Sequence, residues 1–137
     1  MSRDPVPAVL IFLSDLTRFT TETKVRFLGC VADYDSGNVL LTHHYPRATA
    51  TQVVAKVNLD HVLESARPVE LQKGAWVNVV GYTVGRSEDP VYVADVGKTA
   101  VEAVVCVKAV MLWGDGDLNL DDYEQALQGR KDTGTAA

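Results

Sequence analysis

Three histidines are the first residues to weigh for chemistry, because imidazole is a common metal ligand and general base. His43 and His44 are neighbours on a predicted strand, so their side chains point to opposite faces and do not share one metal ion. His61 lies on a separate predicted helix, and the three positions lack a zinc-type spacing. The sequence therefore predicts no metal site and no cofactor, and it favours a partly buried or groove-lining position for His44.

An acidic segment near the end of the chain matches the start of a calcium-binding loop. Asp115, Asp117 and Asn119 follow the spacing Asp-x-Asp-x-Asn. An EF-hand loop also requires glycine at its sixth position and an acidic residue at its twelfth, where this chain has Leu120 and Ala126. Since both positions fail, Asn119 is better interpreted as a helix cap that precedes acidic residues in the first helical turn.

Candidate nucleophiles are present but lie in no catalytic signature. None of the serines sits in a nucleophile elbow or a phosphate loop. The two cysteines, Cys30 and Cys106, lie far apart in apolar stretches, which is typical of buried thiols in a reducing compartment. The sequence thus predicts a protein that is not an enzyme and has no small-molecule substrate.

Basic and aromatic side chains are the residues that hold single-stranded nucleic acid, through phosphates and stacked bases. The chain has 13 basic and 18 acidic residues, a net charge of -5, and its cations are scattered along the sequence. Residues 115–132 carry six acidic and two basic residues, so most of the negative charge lies at one end. We therefore expect weak binding by the chain alone. The residues expected nearest a nucleic-acid path are Tyr34, Lys56, Arg86, Tyr92 and Lys98.

The elements that must position these residues are mainly strands. Apolar alternation and turn residues predict five of them, at residues 24–33, 39–45, 52–57, 76–84 and 101–113. A turn at 34–38 and a long polar loop at 85–99 separate two pairs of them. Gly29 interrupts the first strand and suits a bulge or sharp bend, so that one strand contributes to two faces of a barrel.

Two helices complete the prediction. Asn58 is positioned to cap a short helix over residues 59–66, and Pro68 lies beyond its end. A second helix is expected over residues 118–127, with a frayed polar tail from Gly129. Five strands with a helix between the third and fourth is the order of the OB-fold, an all-β barrel, whereas an SH3-like barrel lacks that helix.

The length of 137 residues fits one domain, with a core over about residues 10–128 and flexible ends at 1–8 and 129–137. The longest strongly apolar run, residues 8–13, is too short to span a membrane and too short for a typical signal-peptide core. We therefore expect an intracellular protein without membrane contact.

A series of segments in register resembles a known family. The segments are Leu13-Ser14-Asp15-Leu16, residues 24–31, His44-Tyr45-Pro46, residues 76–82, and Trp113-Gly114 with Leu118-Asn119-Leu120 and Tyr123-Glu124. Together they are similar to the fungal form of the small Ten subunit of the CST telomere-capping complex, over about residues 10–128.

The resemblance implies a function in binding. It implies a single OB-fold in the nucleus, at telomeres, that forms a heterodimer with the middle, Stn-type OB-fold subunit and assembles with the large CST subunit on single-stranded telomeric DNA. Two alternatives stay open: a free-standing module for single-stranded nucleic acid, such as a small subunit like that of replication protein A, and an adaptor without nucleic-acid contact.

The partner-binding residues are predicted from the pattern and the resemblance together. Arg26 alternates outward on the first strand, which the resemblance places at the partner interface. An apolar stripe on the terminal helix is expected to pack against the equivalent helix of the Stn-type subunit, although it could instead dock on its own barrel. The residues of the stripe and its approach are Leu118, Leu120, Tyr123 and Leu127, with Ala126 beside them.

Overall fold

A computed structural model describes residues 7–19, 22–35, 37–45, 51–87 and 100–133. Within these ranges the chain forms a β-sheet, one α-helix and two short 3-10 helices. The 3-10 helices span Leu13–Arg18 and Pro68–Leu71. The strands are β1 (Val9–Leu10), β2 (Lys24–Asp35), β3 (Asn38–Thr42), β4 (Thr51–Asn58), β5 (Trp76–Arg86) and β6 (Ala100–Gly114), and the helix is α1 (Leu120–Asp132).

The sheet closes into a barrel. Its strand order is β1-β2-β3-β4-β6-β5, and a further pairing between β2 and β5 joins the two ends. The β4–β6 pair is parallel, whereas β2–β3, β3–β4, β2–β5 and β5–β6 are antiparallel. Five closed strands in this order, with β1 as an additional short edge, confirm the predicted OB-fold.

One long strand, β2, supplies two sides of the barrel. Its first half pairs with β5 and its second half with β3, and Cys30 has a partner on each. Gly29 lies at this bend, where an added Cβ would come within 2.8 Å of the Leu41 Cβ. The expected bend is therefore present, and it requires glycine because a side chain has no room there. The register shift itself lies between Val31 and Asp33.

The barrel interior is filled by the alternate residues of each strand. Val25 and Phe27 point inward and are fully buried, as the alternation predicts, while Arg26 between them is exposed. The core cluster continues through Leu41, Val57 and Val79 on the neighbouring strands. This alternation decides which side chains reach the outer surface, where the candidate sites lie.

The segment between β4 and β5 differs from the prediction. No α-helix forms over residues 59–66. Turns occupy residues 60–65 instead, and the short helix that follows is the 3-10 helix Pro68–Leu71. The Asn58 side chain accepts a hydrogen bond from the Asp60 amide, and this local turn competes with a helical start. The Val62 carbonyl then accepts from both Ser65 and Ala66. With Pro68 so close, the segment is too short for a stable α-helix.

Several element boundaries also differ. β2 extends into the first two residues of the expected turn and ends at Asp35. β3 ends at Thr42, so His43 and His44 follow the strand. The helix α1 continues to Asp132, beyond the expected end at Leu127, because the exposed Gly129 does not interrupt its hydrogen bonds. Neither β1 nor the 3-10 helix Leu13–Arg18 was predicted. Residues 88–99 of the predicted loop lie outside the described residues.

Candidate partner and nucleic-acid surfaces

A buried polar contact joins α1 to the barrel. The His43 Nε2 atom lies 2.7 Å from Glu124 Oε2, and both side chains are buried. Aromatic rings surround the imidazole, with Trp76 in an edge-to-face arrangement at 5.4 Å and Phe12 at 5.9 Å. A carboxylate is costly to bury unless a hydrogen-bonding partner compensates it. The contact therefore fixes the orientation of α1 and explains why His43 is the buried histidine and His44 only half-buried.

The far end of α1 is also attached. Lys131 Nζ lies 3.0 Å from Asp15 Oδ2, and the same ammonium group lies 5.4 Å from the centre of the Phe12 ring. Between these contacts Leu127 is only 2% exposed. Leu127 is therefore buried within the protein's own fold, which is the alternative that the sequence left open, and packing of the rest of the stripe against a partner stays a prediction.

Tyr123 occupies an intermediate position on the same helix. Its hydroxyl is buried and makes no hydrogen bond of good geometry. Burial raises the pKa of Tyr123 to about 12, the Arg26 charge opposes that rise, and the Asp115 carboxylate adds to it. The phenol is therefore neutral at physiological pH. Leu118, Leu120 and Tyr123 stay half-buried, so part of each side chain remains accessible.

Beside Tyr123, the outer face of β2, β5 and β6 carries an apolar surface. Arg26 is in register with Val80, which is in register with Met111 on β6. The next row contains Leu28, Asn78 and Trp113. The Arg26 guanidinium lies 5.2 Å from the centre of the Trp113 ring, a cation–π contact. We call this surface the Arg26–Trp113 face. It is formed by Arg26, Met111 and Trp113 with the nearly buried Val80 between them, and Tyr123 borders it, close enough for the Arg26 charge to act on its phenol.

A β-bulge increases the apolar exposure of this face. Val80 pairs with Met111 and Gly81 with Ala109, so Val110 is an extra residue on β6. As a result two consecutive apolar side chains face solvent, Val110 at 38% and Met111 at 56% exposure. They line an open groove of about 420 Å³, together with Ser65, Leu112 and Trp113.

Sequence reasoning missed Val80, Met111 and Trp113 as candidate partner residues. The signal was available in β5, where Val77, Val79 and Val80 are apolar on both faces of one strand. A strand that is apolar on both faces indicates that each face is covered or receives a partner.

The three nucleic-acid candidates that the structure describes, Lys56, Tyr34 and Arg86, do not share one face of the sheet. Lys56 lines a second open groove of about 400 Å³ on the outer side of β4 and β6. Tyr34 is 43% exposed, but its register partner is Val39, whose side chain lies inside the barrel. Residues in register share one face, so Tyr34 does not lie on the outer face that carries Lys56. Arg86 is exposed and pairs with the core residue Val105. Tyr92 and Lys98 lie outside the described residues.

The groove around Lys56 contains other polar side chains that sequence reasoning did not select. Lys108, Asn38 and Asn58 line it, and among the described residues that line it Asp60 is the one carboxylate. In the described part of the chain, no group of three histidine, cysteine or acidic side chains is placed to hold a metal ion. Among the same residues, no helix is both long and apolar enough to cross a membrane.

Comparisons with known proteins agree with the OB-fold. The fold is similar to Ten1 from Saccharomyces pombe, with a TM-score of 0.63 and 23% identity over 92% of this chain and 99% of that one. It is also similar to a chain of the S. pombe Stn1–Ten1 complex, with a TM-score of 0.61 and 23% identity over 96% of each chain. Replication protein A from U. maydis, solved with single-stranded DNA, gives 0.53 and 18% identity over 92% and 91%.

At these identities the solved structures support the fold alone. A search of curated protein sequences returned no match. The family model described as "Telomere capping, CST complex subunit" matches residues 1–128, nearly the whole chain. The chain therefore belongs to the Ten1 family of telomere-capping CST complex subunits.

Proposed function

We propose that this chain is a non-enzymatic subunit that pairs with a Stn-type OB-fold protein through the Arg26–Trp113 face. Membership of the Ten1 family supports pairing, as does the similarity to a chain solved in a Stn1–Ten1 complex. The chain contributes recognition and no chemistry, since its polar contacts anchor elements of the fold.

The observation that carries this proposal is the composition of the exposed face. Arginine, tryptophan, tyrosine and methionine are enriched in protein interfaces, and arginine, tryptophan and tyrosine are frequent hot spots. Here Arg26, Met111 and Trp113 are held on adjacent rows of a rigid barrel, with Tyr123 at the border. The Arg26 guanidinium lies over the Trp113 ring, and an arginine in this position can bond a partner carboxylate through its N–H groups.

The terminal helix has two roles in this proposal. Its buried side, with Glu124 and Leu127, holds it on the barrel. The half-buried Leu118, Leu120 and Tyr123 then extend the Arg26–Trp113 face toward the partner. The partner thus meets a helix that is already docked, which lowers the entropy cost of association.

Family membership also supports the remaining steps of the proposal. The pair of subunits joins the large CST subunit in the nucleus, at the telomeric region of chromosomes, and supports the binding of single-stranded telomeric DNA. The similarity to replication protein A, solved with single-stranded DNA, is compatible with this role. The same similarity also supports an alternative function, that of a replication-protein-A-like small subunit, which would bind DNA tightly without a Stn-type partner.

Charge reversal at Arg26 tests the pairing. Arg26→Glu should weaken affinity for the Stn-type subunit by about 2–5 kcal/mol, the range measured when one member of a buried interfacial charge pair is lost. Because Arg26 is exposed in the isolated chain, the melting temperature of that chain should change little. Isothermal titration calorimetry gives the affinity, and a thermal scan of the isolated variant gives its stability.

Lys73→Glu is the matched control, because it makes the same charge change at an exposed residue in the turn before β5. It should leave pairing intact. If Arg26→Glu pairs as tightly as the original chain, the Arg26–Trp113 face is not the interface. If the original chain does not bind a Stn-type subunit but binds DNA with nanomolar affinity, the replication-protein-A-like alternative is correct.

A further inference from the structure

One row of outward-facing side chains crosses five strands of the barrel. Lys24 on β2 is in register with Tyr82 on β5, and Tyr82 with Lys108 on β6. Lys108 is in register with Asn58 on β4, and Asn58 with Asn38 on β3. Residues in register share one face of a sheet. We call these five residues the Lys24–Asn38 row.

The row has the composition of a single-strand binding path. Tyr82 is 37% exposed and has a lysine beside it on each neighbouring strand. Strands lie about 4.8 Å apart, so the two lysine Cα atoms are separated by about 10 Å. None of the five residues is a carboxylate, and Asp35 is in register with Asn38 at the far end of the row from Lys24. Among the described residues neither Lys24 nor Lys108 forms an ion pair. An exposed ring between two cations can stack a base while the cations contact the flanking phosphates.

The row leads directly into the groove that contains Lys56. Lys108, Asn58 and Asn38 line both the row and this groove. Lys56 lies two residues from Asn58 on the same outer face of β4. Three lysines and two side-chain amides, with the single carboxylate of Asp60 in the groove, therefore follow one continuous surface, on a protein whose net charge is -5.

We infer that the Lys24–Asn38 row binds single-stranded nucleic acid, with Tyr82 stacking on a base and Lys24 and Lys108 contacting phosphates. This inference rests on the proposed function, because it places the nucleic-acid contact of the subunit beside its partner surface. The site lies mostly on β2, β5 and β6, whereas the usual OB-fold groove lies on the strands equivalent to β3 and β4.

The row and the adjacent Arg26–Trp113 face differ in side-chain composition, and this difference indicates which ligand each surface binds. About 7 Å away, two residues along β2 and β5 and three along β6 because of the bulge at Val110, the side chains change to Arg26, Val80 and Met111. Lysine is depleted in protein–protein interfaces relative to the rest of the surface. Two lysines around one tyrosine therefore favour a phosphate-bearing ligand on this row, and the apolar rows favour the protein partner.

The test measures binding of a fluorescently labelled oligothymidylate of about 16 nucleotides, the upper site size of one OB-fold. Binding is followed by anisotropy over a series of salt concentrations. Lys24→Ala and Lys108→Ala should each reduce the slope of log K against log salt by about 0.7, the value for one lost phosphate contact on a single strand. Tyr82→Ala should weaken binding by about 5- to 150-fold, while Tyr82→Phe keeps the stacking and the affinity.

The variants are measured in the complex with the Stn-type subunit and, at low salt, in the chain alone. Lys73→Ala is the matched control and should leave the salt slope unchanged, since Lys73 precedes β5 at the opposite end from Tyr82. Unchanged slopes for Lys24→Ala and Lys108→Ala would overturn the inference, as would the absence of oligonucleotide binding in both samples.

Two further outcomes separate this inference from the proposed function. If Tyr82→Ala weakens pairing with the Stn-type subunit but not oligonucleotide binding, the row is part of a protein interface and the inference is wrong. If the chain does not pair but the lysine variants still lower the salt slope of the chain alone, the proposed function fails and the nucleic-acid site stands.

Discussion

Glu70 shows how one buried carboxylate can hold two elements together. Its carboxylate accepts hydrogen bonds from the Gly114 amide at 2.6 Å and the Arg67 amide at 2.9 Å. The second 3-10 helix is thereby tied to the end of β6. Burial acts to raise the pKa of Glu70, but the two amides and the Arg67 guanidinium together outweigh it, so that pKa lies below its ordinary value.

Neutralising Glu70 should therefore destabilise the protein in a pH-dependent manner. We expect Glu70→Gln to lower the free energy of unfolding by about 1–3 kcal/mol at pH 7, because the hydrogen bonds lose their charged acceptor. A carboxyl group whose pKa is lowered by folding stabilises the protein above its unfolded pKa of about 4.3, and this contribution is lost as the pH falls through the folded value. Urea unfolding should show a smaller difference in the free energy of unfolding between Glu70→Gln and the original chain at about pH 3 than at pH 7.

Glu64→Gln is the control for this experiment, since Glu64 is an exposed carboxylate on the preceding turn. Its effect should lie within about 0.5 kcal/mol, as for most surface substitutions. An equal loss at both pH values for Glu70→Gln would mean that the charge of Glu70 contributes nothing and that the loss comes from replacing an acceptor oxygen by an amide NH2 group.

The most important polar contacts could not be predicted from the sequence. His43 and Glu124 are 81 positions apart, and no local pattern links a histidine after a strand to an acid on a terminal helix. The Asn119 cap was predictable, and the Asn119 side chain accepts from the Asp122 amide as expected. A cap depends on four consecutive residues, whereas a buried pair depends on the final position of two elements.

At the scale of elements, the proposed function requires α1 to pack on its own barrel and also to contact a partner. Tyr123 lies between the buried and the accessible sides of the helix, and its hydroxyl is buried without a well-formed hydrogen bond. Truncation should therefore affect both functions. We expect Tyr123→Ala to lower the free energy of unfolding of the isolated chain by about 1–3 kcal/mol and the pairing energy by about 2 kcal/mol.

Two further variants separate the contributions to this prediction. Tyr123→Phe removes only the hydroxyl, so the stability of the isolated chain should be kept or slightly raised. Gln125→Ala lies on the exposed side of α1 and should change neither quantity by more than about 0.5 kcal/mol. Chemical unfolding and calorimetric titration are measured on each variant. Unchanged stability of Tyr123→Ala would contradict the docking of α1, and unchanged pairing would restrict Tyr123 to the barrel.

The elements that the sequence predicted well are those with a strong period. Alternation in β2 identified Val25 and Phe27 as inward and Arg26 as outward, and the structure agrees. The segment after β4 has apolar residues at helical spacing but forms turns, because Leu59 and Val62 can reach the core from a turn as well as from a helix. Spacing alone does not distinguish the two when the segment is shorter than about 12 residues.

Over the whole molecule, charge is divided between two regions. Six acidic and two basic residues lie within residues 115–132, which include α1, so the rest of the chain is nearly neutral. The sequence showed only scattered cations. The fold places Lys24, Lys56 and Lys108 on one continuous outer surface, since strands that are distant in sequence become neighbours in the barrel. Such a cluster requires the strand register, which composition does not provide.

The distribution of charge determines the affinity for single-stranded DNA that we expect of the isolated chain. Three lysines neutralise few phosphates, and the net charge of -5 opposes the approach of an anionic strand. We therefore expect the chain alone to bind single-stranded DNA with a dissociation constant of about 10⁻⁴–10⁻⁶ M at physiological salt, the level of electrostatic binding without specific contacts. Addition of the Stn-type subunit should tighten binding and steepen the salt dependence, because the path is extended. Anisotropy titrations with and without the partner measure both quantities. A nanomolar dissociation constant for the chain alone would show that contacts beyond these lysines hold the strand.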